Sequence, residues 1–210
     1  MSAMTNSHVP ADWAAVAAGA HHAPHDVLGP HPTTDSAGRT STRIRALRPL
    51  AESVVALLKN GTRVSLEHVA DGIWQGDHLG APVPYQLVTV YDGGDEQTAG
   101  DPYRHLPSIG ELDLHLVGEG RHERLWEVLG AGAHLLDGEI GVAFAVWAPN
   151  ARAVRVVGDH NGWNGQGHSM RSMGSSGVWE LFIPGSTPGM TYKYEILTPD
   201  GAWILKADPM

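Results

Sequence analysis

The residues of this chain with the most chemical promise lie in a turn. Residues 158–164 read GDHNGWN, follow the β-rich run 154–157 and set a large apolar side chain, Trp163, among turn formers. Loops run over the surface, so this placement predicts an exposed indole rather than a core residue. Aromatic faces stack on the apolar faces of sugar rings, while neighbouring amides and amines bond the hydroxyls. Asn161 stands beside Trp163, Lys193 lies in the strand-like YKYE of 192–195, and Trp203 follows the turn TPDGA of 198–202. A strand-turn-strand arrangement brings Lys193 and Trp203 to one face. These four residues are candidates for a carbohydrate platform; the competing reading is that the tryptophans pack a sheet edge.

Other chemistries are less well served. His21, His22, His25 and His31 look like metal ligands, but Pro24 forbids a regular helix aligning His21 with His25, and no Cys or carboxylate cluster completes a site. Loop and cap hydrogen bonds account better for these histidines, and no metal is assigned. Glycoside chemistry needs two acids held apart in a cleft. Asp71, Asp92, Asp95, Asp159 and Asp200 instead sit in turns, which favour Asp on their own account. No catalytic residue is assigned. The nucleophile elbow, the phosphate loop and the dinucleotide fingerprint are absent, so no cofactor is expected.

Composition narrows the classes further. The formal charge is −9 with only 14 Lys and Arg and no basic run, which argues against nucleic acid as a partner. There is no Cys, so neither disulfides nor thiolate sites exist. The start, MSAMTNSHVPADW, lacks the basic and apolar regions of a signal peptide, and the longest apolar stretches fall far short of a membrane span. The expectation is a cytoplasmic protein with no membrane partner.

The elements that must position the platform read as strands. Asp12 can cap a short helix over 13–18 that Gly19 stops; residues 33–41 read as a loop. Strand patterns occupy 43–48, 54–58, 64–69, 73–74 and 85–91, then 141–147, 154–157, 178–183, 192–197 and 203–207. Between the two series, the apolar spacing of Leu125, Val128 and Leu129 predicts a short helix within 118–130. The series resemble each other: PLAESVVALL (49–58) matches PNARAVRVVG (149–158), GIW (72–74) matches GVW (177–179), PYQL (84–87) matches TYKY (191–194), and DPY (101–103) matches DPM (208–210). The predicted fold is all-β: two tandem immunoglobulin-like β-sandwiches joined by a linker with a short helix. The expected divisions are 1–19 (N-terminal segment with a helix), 20–105 (first sandwich), 106–133 (linker) and 134–210 (second sandwich).

Several of these segments also resemble a known family, bacterial glycogen branching enzyme, in its N-terminal region. The resemblance is carried by HHAPHDVLG (21–29), by DPYR (101–104) with GELDLH (110–115) and GEGRHERLWEVLG (118–130), and by FAVWAPN (144–150), residues 154–163, GSSGVWEL (174–181) and YKYE (192–195). The second sandwich is similar to family 48 carbohydrate-binding modules. The resemblance implies a transferase that cuts an α-1,4 linkage of a glucan and rejoins the segment through an α-1,6 linkage, with its carboxylates on a (β/α)₈ barrel expected to begin just after Met210. The 210 residues alone are then expected to be an inactive fragment whose partners are α-1,4-glucan or glycogen and its own C-terminal barrel. Where family 48 modules bind glucan, the platform positions are matched here by Asn161, Trp163, Lys193 and Trp203. His160 stands where an aromatic, usually Phe, is commoner, and is expected to face the core. A stand-alone glycogen-binding regulatory module and a pure structural scaffold are the alternatives.

Overall fold

The computed structural model describes residues 10–210; the first nine residues of the expected 1–19 segment lie outside the described residues. The fold is all-β, two immunoglobulin-like sandwiches in tandem. The first comprises β1 (Gly29–Thr34), β2 (Thr40–Leu47), β3 (Ala51–Leu58), β4 (Arg63–Ala70), β5 (Ile73–Leu79), β6 (Tyr85–Tyr91) and β7 (Gln97–Gly100). The second comprises β8 (Gly130–Leu136), β9 (Glu139–Trp147), β10 (Ala153–Gly158), β11 (Arg171–Ser172), β12 (Val178–Pro184), β13 (Tyr192–Leu197) and β14 (Trp203–Lys206). Two short helices, α1 (Ala11–Ala17) and α2 (Glu111–Gly118), precede the respective sandwiches.

The two sandwiches share one topology. The second forms the sheets β8-β9-β12-β11 and β10-β13-β14, and the first reads β1-β2-β5-β4-β3-β6-β7, the same order strand for strand. The difference lies in one strand. β4 has eight residues and pairs with both β5 and β3, curling the first sandwich into one continuous sheet. β11 has two residues and pairs only with β12, leaving an open seam crossed by a single bridge between Arg155 and Ser169.

The correspondence extends to individual bonds. The Trp74 indole donates to the Arg48 carbonyl at 3.1 Å, and the Trp179 indole to the Ala148 carbonyl at 3.0 Å. Gly72 (φ +80°) and Gly177 (φ +73°) precede the two strands, where a β-carbon would strike Pro49 and Pro149 respectively. Tyr85 donates to Asp101, and Tyr192 to Asp208. The duplication also reaches further toward the N-terminus than the strand patterns indicate. α1 and α2 are each followed by a histidine whose Nδ1 accepts a backbone N–H two residues on, His21 from Ala23 and His122 from Arg124. A 3₁₀ turn then leads into Val-Leu-Gly, with Gly29 at φ +90° and Gly130 at φ +96°.

Several local expectations are corrected. The helix between the sandwiches is α2, and residues 125–127 form only a 3₁₀ turn. Gly120 at φ +67° ends α2, and the His122 ring occupies the Arg124 N–H, which leaves the downstream apolar residues one tight turn. Pro10, not Asp12, caps α1; Asp12 lies in its first turn, where a carboxylate meets the positive end of the helix dipole. The 33–41 loop is shortened from both sides by β1 and β2. β1, β7, β8 and β11 lie outside the expected strand set. β1 and β8 carry Pro or Gly on an edge, a position where those residues are tolerated.

The sandwiches meet in a common core. Val16, Leu28, Leu47 and Tyr103 from the first half pack in one cluster with Val156, Met170 and Tyr194 from the second. The Tyr103 hydroxyl donates to the Gly167 carbonyl and accepts from the Ser169 N–H, both at 3.0 Å. The connecting segment is tied down by Glu180, fully buried, which accepts from the N–H and hydroxyl of Ser108 and from Arg171 Nε at 2.7 Å.

Candidate functional site

The turn after β10 is built around Asn161. Its Oδ1 accepts from the Gly158 N–H at 3.0 Å, and its Nδ2 donates to the Val156 carbonyl at 2.9 Å. Both ends of the amide are thus engaged inside the turn. They hold Gly162 (φ +59°) and Trp163 (φ +64°) in consecutive left-handed conformations. For a non-glycine residue that conformation costs about 1–2 kcal/mol, so the turn fixes Trp163 against its own preference. The indole is 43% exposed. His160 stacks on Phe144 at a 5.6 Å ring separation, the inward position expected of it, and burial holds its imidazole below the ordinary histidine range.

The chain then returns across the outer face of the β10-β13-β14 sheet. A β-carbon at Gly165 would meet Val157 Cγ1 at 2.8 Å and Arg155 Cβ at 2.9 Å, so only glycine lets the loop lie this close. Lys193 pairs in register with Val157, and Trp203 with Leu197. Side chains alternate along a strand, so Lys193, Glu195, Leu197 and Trp203 share a face, with Lys193 and Trp203 about 13 Å apart along it. The structure therefore sets Lys193 and Trp203 on one face, which the loop following the Trp163 turn crosses at Gly165, and it assigns Asn161 to the turn's interior. One participant lies outside the sequence expectation. The Arg155 guanidinium sits 3.6 Å from the Trp203 ring centroid, with its Nε 3.1 Å from Glu195 Oε2. The β10-β13 register pairs Arg155 with Glu195; strand assignments alone could have revealed the ion pair, though not the stacking.

The N-terminal histidines disperse. His21 stacks on His22, His31 Nε2 lies 3.2 Å from the Leu28 carbonyl, and His25 packs edge-on against Tyr103. Burial holds His25 down to about 3. Among the described residues no three His, Asp or Glu side chains converge as metal ligands. Asp71 and Asp92 occupy left-handed turn positions, and Asp159 accepts the Thr191 N–H. No helix among the described residues is long and apolar enough to cross a membrane.

Two further cavities bear on function, and the first borders the loop that follows the Trp163 turn. A cleft of about 860 Å³ separates the sandwiches, its walls including Tyr91 and Gln97 on one side and Asn161, Asn164 and Gln166 on the other. An apolar pocket of about 350 Å³ lies among Val117, Leu125, Leu129, Trp147 and Met210. Through the duplication, these residues correspond to Val16, Pro24, Leu28, Leu47 and Tyr103, the surface on which the first sandwich carries the second.

Comparison with known proteins follows the same division. Residues 9–103 match the family described as alpha-1,4-glucan branching enzyme GlgB, N-terminal domain. Residues 130–210 match Carbohydrate-binding module 48 (Isoamylase N-terminal domain). The 1,4-alpha-glucan branching enzyme GlgB of Leifsonia xyli subsp. xyli (strain CTCB07) is 56% identical over 198 residues, 93% of this chain and 27% of that protein. The proteins of the same name from Thermobifida fusca (strain YX) and Rhodococcus jostii (strain RHA1) are 56% and 51% identical, over 99% and 95% of this chain and 28% and 27% of their own lengths. The chain thus spans about a quarter of the curated relatives it matches.

Proposed function

Residues 9–103 belong to the N-terminal domain family of the branching enzyme GlgB and residues 130–210 to carbohydrate-binding module 48, and from that premise we propose that the chain is the non-catalytic front part of a cytoplasmic glycogen branching enzyme. Residues 20–105 act as its amino-terminal module, 106–133 as the connection and 134–210 as the carbohydrate-binding module. The activity is transfer of an α-1,4-glucan segment into an α-1,6 branch, carried out by a catalytic barrel outside this chain. The part assigned to these residues is to hold α-glucan and to dock on that barrel.

The observation that carries the glucan reading is Trp163: an exposed indole locked in a left-handed turn, from which the chain crosses the face that carries Lys193 and Trp203. An unfavourable conformation maintained by a dedicated amide, with the indole turned outward, supports a ligand-facing role. Asn161 serves this platform by positioning it. Affinity electrophoresis of the chain in gels with and without glycogen, beside Trp163→Ala, tests the reading. Retardation of the parent that Trp163→Ala loses supports it; a parent that glycogen does not retard sinks it.

The scaffold role has its own observation. The apolar pocket around Val117, Leu129, Trp147 and Met210 copies the joint that the first sandwich uses to hold the second, and Trp126 and Trp147 beside it are 66% and 57% exposed. Large exposed apolar patches mark interaction surfaces. The catalytic barrel is the occupant proposed for it.

A further inference from the structure

The geometry points to a second α-glucan site in the cleft between the two modules, continuous with the Trp163 turn and completed by the amino-terminal module. This inference rests on the reading of Trp163 as a sugar platform and extends it to residues that reading leaves unused.

The cleft, about 860 Å³, lies within the size range of ligand sites. Its lining chemistry indicates the ligand class. The first module contributes Gln86, Gln97 and the ring of Tyr91; the second contributes Asn164, Gln166 and the apolar side chain of Met190. Carboxamides both donate and accept hydrogen bonds, which is what a neutral polyhydroxylated ligand requires. An ionic ligand is poorly matched. The lining charges Arg48 and Glu139 are opposite in sign, and Glu139 is already paired with Arg104 at 2.9 Å. The free edge of β7, Gln97–Gly100, adds backbone donors and acceptors along one wall.

Continuity with the platform comes from one short loop. Asn161, Asn164 and Gln166 line the cleft, and Trp163 lies between the first two in sequence. Gln166 Nε2 also donates to the Ala17 carbonyl at 2.6 Å, so the α1 end fixes the loop that forms this rim. Trp163 itself lies outside the lining, so in this proposal a glucan stacked on it and longer than the platform extends past Asn164 to the wall formed by Tyr91 and Gln97.

Isothermal titration of the 210-residue chain with maltotriose and with maltoheptaose tests this, comparing the parent, Trp163→Ala and the double variant Tyr91→Ala/Gln97→Ala. Loss of a few hydrogen bonds should weaken maltoheptaose binding by the double variant about tenfold while leaving maltotriose unchanged. If the double variant binds both sugars as the parent does while Trp163→Ala loses both, the cleft site is overturned and the platform stands. If Trp163→Ala binds both normally and the double variant loses maltoheptaose, the cleft stands and the platform falls. A parent that binds neither sugar overturns both. Gln86→Ala, at an exposed position on the same wall, replaces the double variant should that fail to keep the parent's Tm, and the same loss of maltoheptaose alone is expected of it.

Discussion

The guanidinium of Arg155 lies 3.6 Å from the ring centroid of Trp203 and is held there by Glu195. A cation on the face of an indole contributes about 0.5–2 kcal/mol, more when desolvated, and Arg155 is mostly buried. Arg155 thus presets the orientation of Trp203 on the proposed glucan surface. Arg155→Met should free the ring, which acrylamide quenching of indole fluorescence would report as greater exposure. Glycogen retardation should fall less than in Trp203→Ala, where the ring itself is gone. Unchanged quenching would show that Trp203 is held by other contacts.

Asn161 fastens the turn that carries Trp163. Asn161→Ala removes both bonds to Gly158 and Val156 and releases two consecutive left-handed residues. The expected loss is about 1–3 kcal/mol of stability, read by urea denaturation, together with most of the glycogen retardation. Asn161→Asp keeps an acceptor for the Gly158 N–H but sets a carboxylate oxygen against the Val156 carbonyl, so an intermediate loss is expected. Full retardation in Asn161→Ala would separate Trp163 from the turn geometry.

How much of this was legible in the sequence follows from which contacts are local. The strands with alternating or continuous apolar runs, and the repeat linking Gly72-Ile-Trp74 to Gly177-Val-Trp179, are written in residue types whose roles are fixed by nearby backbone. Trp163 stands out because an indole among turn formers conflicts with the local pattern. The edge strands β1, β8 and β11 carry Pro, Gly or only two residues, and pairing with a neighbour, not propensity, makes them strands. The pairing of Arg155 with Glu195 follows once the strands are placed, but its stacking on Trp203 depends on a ring folding across the sheet, which no local pattern encodes. The inter-module cleft depends on how two copies pack, which no local pattern encodes.

Glu180 is the most demanding polar group at the joint. Fully buried, it satisfies Ser108 and Arg171 together. Glu180→Ala leaves the guanidinium without its carboxylate, and breaking a buried pair in this way costs about 3–5 kcal/mol. Glu180→Leu/Arg171→Met removes both charges and should recover much of that loss. Equilibrium denaturation checks the pair; a single variant within about 0.5 kcal/mol of the parent would show that the bonds are not maintained in solution.

Acid should loosen the joint through two histidines. Burial first, with cationic neighbours adding to it, holds His25 and His168 down to about 3 from an ordinary value of 6.5. Both rings are neutral in the folded chain until strongly acid pH, whereas the unfolded chain takes up protons below about 6.5. The unfolded state therefore binds more protons between those two values, and stability falls as pH falls through that window. Each histidine contributes a slope of at most about 1.4 kcal/mol per pH unit, and neither contributes above 6.5. His25 packs against Tyr103, and His168 neighbours the Gly167 and Ser169 groups that Tyr103 bridges, so the loss falls on the contact between modules. Urea denaturation from pH 7.5 to pH 4 should show a midpoint flat at the upper end and descending below about 6.5. His168→Gln and His25→Gln should each flatten the descent. A midpoint independent of pH across the range would show that these rings are protonated in the folded chain.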